Sequence, residues 1–222
     1  MLLVEDLMML LLDDETGDPA VPGALQHSLG GAVLVELALR GNVETDGSSA
    51  DDPSVHAVEG DPPSDPLLRS AYDKITERPQ HIQQLLLEIG GGLKEPVIDR
   101  LLERGLIRSE QRRFLGLFRT TRLPAEDTGH EAELRRTMRA VLEDGASPDS
   151  RTGALIALVS ASGALRYLRP PLLPWSDEIQ QRAKEFEQGN WGAEAVSTAV
   201  VRSAAAIAAS TAAVTVTTII TS

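Results

Sequence analysis

The stretch LQHSLGGAVLVELALR, residues 25–40, decides the fold more than any other part of this 222-residue chain. Its apolar residues give a helix over residues 24–40 a broad apolar surface, so that helix is expected to be buried. Gly30 and Gly31 lie in its first half. Because neither carries a side chain, a neighbouring helix can approach the backbone closely there.

Helical periodicity continues along most of the chain. Leu and Ala are strong helix formers, and aromatic residues make up only 3% of the sequence, so the core must be built from aliphatic side chains. These features predict an all-α, mostly helical fold in a single domain over residues 1–222. The other helices are expected at 2–12, 67–78, 80–89, 93–104, 129–143, 150–167, 177–188 and 193–210.

Residues 42–66 interrupt this pattern. They are rich in Asp, Ser, Pro and Gly and have little apolar surface to bury, which is typical of a mobile acidic loop. Short extended pieces fit residues 42–44 and 55–58.

The stretch RRFLGLFRTTRLP, residues 112–124, is the most unusual in the chain and predicts a β-hairpin or an extended arm. Two apolar pairs surround Gly116, and arginines flank them on both sides. Such an arm could place its apolar tip in a lipid interface while its arginines meet phosphates. It could equally pack on its own core or on a partner subunit, and the sequence leaves both possibilities open. The candidate contact residues are Arg112, Arg113, Phe114, Leu115, Leu117, Phe118, Arg119 and Arg122.

The charge of the chain is strongly negative and unevenly distributed. A net charge of −12 argues against general nucleic-acid binding, because phosphate contacts need a basic surface. Residues 1–66 hold fourteen acidic residues and a single basic one, whereas residues 94–122 hold eight basic and four acidic residues. A basic middle in an acidic protein can orient the molecule on an anionic surface, or it can be a set of solvated helix faces.

No pattern typical of catalysis or metal binding is found. The chain has no cysteine and its four histidines show no ligand spacing, so we expect neither a metal site nor a cofactor, and no catalytic residues. The glycine triplet at 90–92 lacks the preceding strand and the Lys-Ser/Thr ending of a phosphate-binding loop, which favours a connection between helices. The acidic cluster at 13–18 does not match the spacing of Ca²⁺-binding loops and is interpreted as a turn. We therefore predict that the protein is not an enzyme.

Two segments of the sequence indicate where in the cell the protein is expected. The first charges of the chain, Glu5 and Asp6, are acidic where a secretory leader would be basic, so we expect a cytoplasmic protein. Residues 203–222 are uncharged, and their Ala, Thr and Ser content favours a buried helix over a tail anchor.

Five stretches, in order along the chain, resemble segments of the Golgi phosphoprotein 3 family. They are residues 3–17, 31–41, 101–107, 114–124 and 154–162, and the second, GAVLVELALRG, is the most specific. The resemblance implies a central helical bundle with a projecting hairpin. It also implies a non-enzymatic role, since eukaryotic members bind phosphatidylinositol 4-phosphate at the Golgi and act as adaptors for resident glycosyltransferases.

The headgroup pocket of eukaryotic members uses a Trp, an Arg and two further basic residues. By resemblance, these positions fall on or near Val21, Gly30, Gly91 and Lys94. Lys94 alone keeps a positive charge and is the predicted headgroup-binding residue. The chain lacks the long polar N-terminal extension of the eukaryotic proteins, and its Arg and Ala bias resembles that of a bacterial member.

The leading hypothesis is a cytoplasmic, peripheral membrane protein that binds anionic phospholipid and serves an unknown client protein. One alternative is an interaction module whose hairpin mediates homo-oligomerisation without specific lipid binding. Another is a winged-helix-like DNA binder, suggested by helix 93–104, Gly105 and the Arg-flanked hairpin. The net charge of −12 disfavours this second alternative, so no nucleic-acid partner is expected.

Overall fold

The computed structural model describes residues 1–46, 53–114, 118–126, 128–189 and 204–212, with residues 111–122 and 128 described by their backbone only. Over these residues the fold is mostly helical, as predicted. A 3-10 turn at Pro22–Ala24 precedes α2, and a further helix covers residues 204–212. The other helices are α1 (Leu3–Leu11), α2 (Leu25–Leu39), α3 (Pro66–Glu77), α4 (Ile82–Gly90), α5 (Lys94–Glu103), α6 (Thr128–Leu142), α7 (Ser150–Ala161) and α8 (Asp177–Glu187).

A small antiparallel sheet accompanies the helices. Its strands are β1 (Val43–Thr45), β2 (Ser54–Ala57) and β3 (Gln80–His81), paired in that order. β1 and β2 confirm the extended pieces expected inside the acidic segment 42–66. Residues 47–52 of that segment lie outside the described part, and its mobility stays a prediction.

The predicted hairpin is formed by β4 (Glu110–Phe114) and β5 (Phe118–Arg122), which pair antiparallel. The strand pair begins two residues before the expected span 112–124. Two predicted contact residues of the arm, Leu115 and Leu117, lie outside the described part of the chain.

Two predicted helix boundaries are wrong, each for a local reason. Helix 80–89 begins only at Ile82, because the two preceding residues pair with β2 as strand β3. Helix 150–167 ends at Ala161, because Gly163 adopts a positive φ of 71° that turns the chain out of the helix.

α2 is the buried centre of the bundle, as its sequence predicts. It contacts α1, α3, α4 and α7. From Leu25 to Ala38, every residue except Gln26 is buried. A helix that is apolar on all sides is stable only when other elements cover it on all sides, so the fold is arranged around α2.

The helix over 204–212 lies in the core. A Cβ atom built on Gly31 of α2 would be 2.6 Å from Thr211 Oγ1, so the two helices pack directly. This part of the uncharged stretch 203–222 is therefore the expected buried helix, while residues 213–222 lie outside the described part. Among the helices described, none has both the length and the apolar character that crossing a membrane requires.

A buried ionic network, which the sequence predictions did not include, joins α1 to the helices around it. Glu5, Asp6 and Glu36 are each at most 4% exposed. Burying a carboxylate is costly unless it is paired with a cation and hydrogen-bonded. All three carboxylates meet both conditions through partners on other helices.

Glu5 fixes α5 and α3 against the start of α1. Its Oε1 accepts a hydrogen bond from Arg100 Nε at 2.8 Å, and its Oε2 accepts one from the Leu2 N–H at 2.6 Å. The same guanidinium of Arg100 reaches Asp65, the N-cap of α3, at 2.7 Å.

Arg151 fixes α7 in a similar way. Its guanidinium donates to Asp6 at 2.7 Å and to Glu36 at 3.0 Å, so one arginine joins α7 to both α1 and α2. Glu36 also accepts a hydrogen bond from the Leu3 N–H at 2.7 Å. His130 Nε2 of α6 lies 2.8 Å from Asp6 Oδ1 and adds a fourth helix.

Removing Arg100 should destabilise the fold. In Arg100→Ala, the buried Glu5 carboxylate keeps only the more distant Arg104 Nε, at 3.3 Å, as a cationic partner. The free energy of unfolding should fall by about 3 kcal/mol. Arg136→Ala, which breaks an exposed pair with Glu133, should leave stability almost unchanged. If chemical denaturation shows that both variants lose the same small amount of unfolding free energy, the network does not have this structural role.

Candidate functional site

The candidate site lies where the N-terminal half of α2 crosses α4. A Cβ atom on Gly30 would collide with the Leu86 carbonyl oxygen, and one on Gly90 would collide with the carbonyl oxygen of Gln26. Only glycine at both positions lets the two backbones touch. The close approach expected at Gly30 is therefore confirmed.

The same crossing brings together Gly30 and Gly91, two glycines that the family resemblance places at or near headgroup positions. Gln26 Nε2 donates to the Leu87 carbonyl at 3.0 Å, and a Cβ atom on Gly91 would lie 3.1 Å from that nitrogen. The backbone of α4 fills the space beside Gly30, so no arginine can be accommodated there. Val21 precedes the 3-10 turn that leads into α2.

Lys94 is the first residue of α5 and follows a turn in which Gly92 has a φ of 81°. Its side chain is half-buried, and within the described part of the chain it makes no hydrogen bond or ion pair. The free N–H groups of a helix N-terminus carry a partial positive charge, which adds to that of the ammonium group. Glu95 follows and is exposed, so the local charge is not uniformly positive.

His27 adds no charge to this site. It lies on α2 one turn before Gly31 and is only 8% exposed. Burial lowers the pKa of the imidazole below its ordinary value, because the charged form loses its hydration. Its Nδ1 atom is buried and has no hydrogen-bond partner among the described residues. His27 is therefore neutral at pH 7.

The arm departs from the opposite end of α5. That helix has ten residues, so about 15 Å separates Lys94 from the start of the segment leading to β4. Phe114 and Phe118 are register partners at the closing end of the strand pair. Side-chain positions in the arm lie outside the described part, so its contacts stay a prediction. The strands also carry the predicted contact residues Arg112, Arg113, Arg119 and Arg122.

The acidic cluster at 13–18 is a turn capped by its own side chain. Asp13 Oδ1 accepts hydrogen bonds from the N–H groups of Glu15 and Thr16, each at 2.9 Å. Across the residues that the structure describes, no group of three or more histidine, aspartate or glutamate side chains is placed to hold a metal ion.

The sequence matches the Golgi phosphoprotein 3 (GPP34) family over residues 3–203, a span that includes α1 to α8, the hairpin and Lys94. The chain belongs to the Golgi phosphoprotein 3 family. This family is one of non-enzymatic adaptors of the Golgi type.

Sequence reasoning missed two features of the site region. The ionic network joins residues far apart in the chain, such as Glu5 and Arg100, which are 95 positions apart. The signal that could have revealed it is the presence of acidic residues, such as Glu36, inside otherwise apolar helices. The second feature is an exposed aromatic pair, Tyr167 and Trp175, in the region that follows α7.

Gly30→Ala should destabilise the protein far more than Gly23→Ala. A methyl group at position 30 would strike the Leu86 carbonyl, and such overpacking costs about 1–3 kcal/mol or more. Gly23 has nothing within 4 Å of its Cβ position, so a change there should stay within about 0.5 kcal/mol. Thermal unfolding of the two variants compares them directly. Identical melting temperatures would show that the α2–α4 contact is looser than described.

Proposed function

We propose that this protein is a non-enzymatic, peripheral membrane adaptor that binds anionic phospholipid and an unknown client protein. Membership of the Golgi phosphoprotein 3 family is the observation that carries the proposal. The lipid that the family resemblance suggests is phosphatidylinositol 4-phosphate or a related phosphoinositide.

Lys94 is the proposed headgroup contact. An unpaired ammonium group at a helix N-terminus combines a full charge with backbone donors, which together suit a phosphate group. Since position 30 cannot hold an arginine, the headgroup meets fewer cations than in eukaryotic members. We therefore expect a preference for anionic lipid that depends on charge more than on the details of the headgroup.

The charge distribution requires an oriented approach to the membrane. The protein as a whole carries a net charge of −12 and is repelled by an anionic surface. Residues 94–122 hold twice as many basic as acidic residues, so attraction to an anionic surface is expected in the part of the chain that includes Lys94 and the arm.

The arm is the proposed second contact. Burying an apolar side chain such as Phe in lipid is worth roughly 1.5–3 kcal/mol before ordering costs. An arginine near an anionic surface adds about 1 kcal/mol. The same chemistry suits a contact between subunits, and homo-oligomerisation through the arm is the competing proposal.

Lys94→Glu should weaken binding to anionic vesicles. The substitution changes the local charge by two units, which corresponds to roughly 2 kcal/mol near an anionic surface, or about thirtyfold in affinity. Arg136→Glu changes the charge equally on the exposed face of α6 and should have a much smaller effect. Sedimentation with vesicles of phosphatidylcholine containing phosphatidylserine or phosphatidylinositol 4-phosphate gives both affinities. If Lys94→Glu and Arg136→Glu bind equally well, Lys94 is not the headgroup contact.

Replacing Phe114 and Phe118 together with Ser should weaken vesicle association while leaving the fold intact. A fall in vesicle binding with an unchanged sedimentation coefficient in the absence of lipid supports the membrane role. Dissociation of an oligomer in the absence of lipid assigns the arm to a subunit contact instead. A collapse of the melting temperature would place both side chains in the core of the monomer, against either proposal.

A further inference from the structure

One end of the helical bundle is defined by the antiparallel packing of α2 and α7. Arg151 at the start of α7 bonds to Glu36 near the end of α2 at 3.0 Å. Leu158 near the end of α7 lies 3.3 Å from the Cβ position of Gly31 in the first half of α2. The N-terminal end of α2 and the C-terminal end of α7 therefore lie at the same end of the bundle.

The proposed headgroup contact is at this end as well. The hydrogen bond from Gln26 to the Leu87 carbonyl places the last turn of α4 beside the first turn of α2. The chain then passes through Gly91, which adjoins Gln26, and reaches Lys94 three residues later.

Exposed apolar side chains concentrate at the same end. Among the described residues, the exposed large apolar side chains are Leu87 (48% exposed), Tyr167 (58%), Trp175 (39%) and Met1 (37%). The first three belong to the segments that end α4 and follow α7. Met1 lies at the opposite end, where its carbonyl accepts a hydrogen bond from Arg151 at 2.9 Å.

Tyr167 and Trp175 share one surface with Arg166. The Arg166 guanidinium lies 5.8 Å from the centroid of the Trp175 ring, a cation–π distance. All three residues, together with Lys184, line a cleft of about 250 Å³. Arg166 and Tyr167 also line a second cleft of about 640 Å³, which they share with the acidic turn at 13–18.

The segment that presents the aromatic pair is held in place by α6. Arg135 donates to the carbonyl groups of Arg169 and Pro170 at 3.0 and 2.9 Å, and Arg139 donates to the Leu172 carbonyl at 2.6 Å. A contact made by side chains on an already fixed segment loses little conformational entropy on binding.

We propose that Tyr167 and Trp175 insert at the headgroup level of a phospholipid bilayer, as a second membrane contact at the end of the bundle that carries Lys94. Tyrosine and tryptophan combine an apolar ring with a polar group and settle at the membrane–water interface. Arg166 can extend its stem over apolar surface and meet a phosphate group. This inference rests on the proposed membrane function and extends it to a second surface.

The aromatic contact differs from that of Lys94 in its dependence on membrane charge. Both signs surround the pair: Arg169 and Lys184 are exposed, and so are Asp177 and Glu178 at the start of α8. Attachment here comes from burial of the rings, so it should be similar for neutral and anionic membranes. The contribution of Lys94 should instead grow with the anionic fraction.

Tryptophan fluorescence tests the proposal directly. The chain has two tryptophans, so Trp191→Phe leaves Trp175 as the only reporter. The vesicles are phosphatidylcholine with about a quarter phosphatidylserine. When they are added, the Trp175 emission should shift to the blue and be quenched by lipids brominated on the acyl chain. If Trp191→Phe does not fold, the difference between wild type and Trp175→Phe reports the same signal.

A matched control places the reporter at the other end of the bundle. Glu44 is exposed on β1, which follows the C-terminal end of α2, so Glu44→Trp combined with Trp175→Phe and Trp191→Phe should show neither shift nor quenching. Equal quenching of both reporters would overturn the proposed orientation. If the protein binds vesicles but the Trp175 emission does not shift, the inference is wrong and the proposed function stands. A wild-type protein that binds no vesicles would overturn both.

Loss of the rings should reduce binding without changing its charge dependence. Tyr167→Ser combined with Trp175→Ser should lower vesicle partitioning about tenfold, by a similar factor at every phosphatidylserine fraction. Lys94→Glu should lower it by a factor that rises with that fraction. If the double variant instead dissociates an oligomer in lipid-free solution and binds vesicles normally, the surface binds a second copy of the chain and the proposal is wrong.

Discussion

Three buried carboxylates, those of Glu5, Asp6 and Glu36, constrain the rest of the structure. Each needs a cation in a place that water does not reach, and the cations come from helices distant in sequence. Such a network is weak evidence for stability, since an apolar replacement can be as stable, but breaking one partner is costly. In this structure it joins α5 and α7 to α1 and α2.

That arrangement positions the proposed functional end from the opposite end of the same helices. Arg100 fixes α5 six residues after Lys94, about 9 Å along the helix axis. Arg151 fixes the start of α7, and the exposed aromatic segment follows the end of that helix. The polar network and the exposed aromatic segment therefore lie toward opposite ends of α7.

The crossing of α2 and α4 bears on Gly30, which the family resemblance places at an arginine position of the eukaryotic headgroup pocket. An arginine at position 30 needs space beside α2, and in this chain the backbone of α4 occupies that space because Gly30 and Gly90 permit contact. Two helices in backbone contact bury their surfaces closely, but they leave no room for a cationic side chain between them. A phosphate-binding role then depends on Lys94 at the edge of the crossing.

Periodicity and composition predicted most of the helices, the buried state of α2, the close approach at Gly30 and the hairpin. Each of these features depends on residues that are close in sequence or that lie on one face of a helix. The sequence did not predict β3, because the pattern around Gln80 and His81 favours a helix and the two residues form a strand only by pairing with β2. It also missed the ionic network and the pairing of Arg166 with Trp175, which arise only when distant segments meet. Val21, Gly30 and Gly91 could be placed at family positions from sequence, but the reason that Gly30 cannot be basic required the structure.

In the proposed orientation, the end of the bundle where α2 begins and α7 ends faces the membrane. Amide hydrogen exchange of the whole protein, with and without vesicles of phosphatidylcholine and phosphatidylserine, measures this directly. Vesicles should slow exchange in residues 87–95 and 163–176 and leave residues 36–46 unchanged. Protection confined to residues 36–46, or no protection in any part of a vesicle-bound protein, would contradict this orientation.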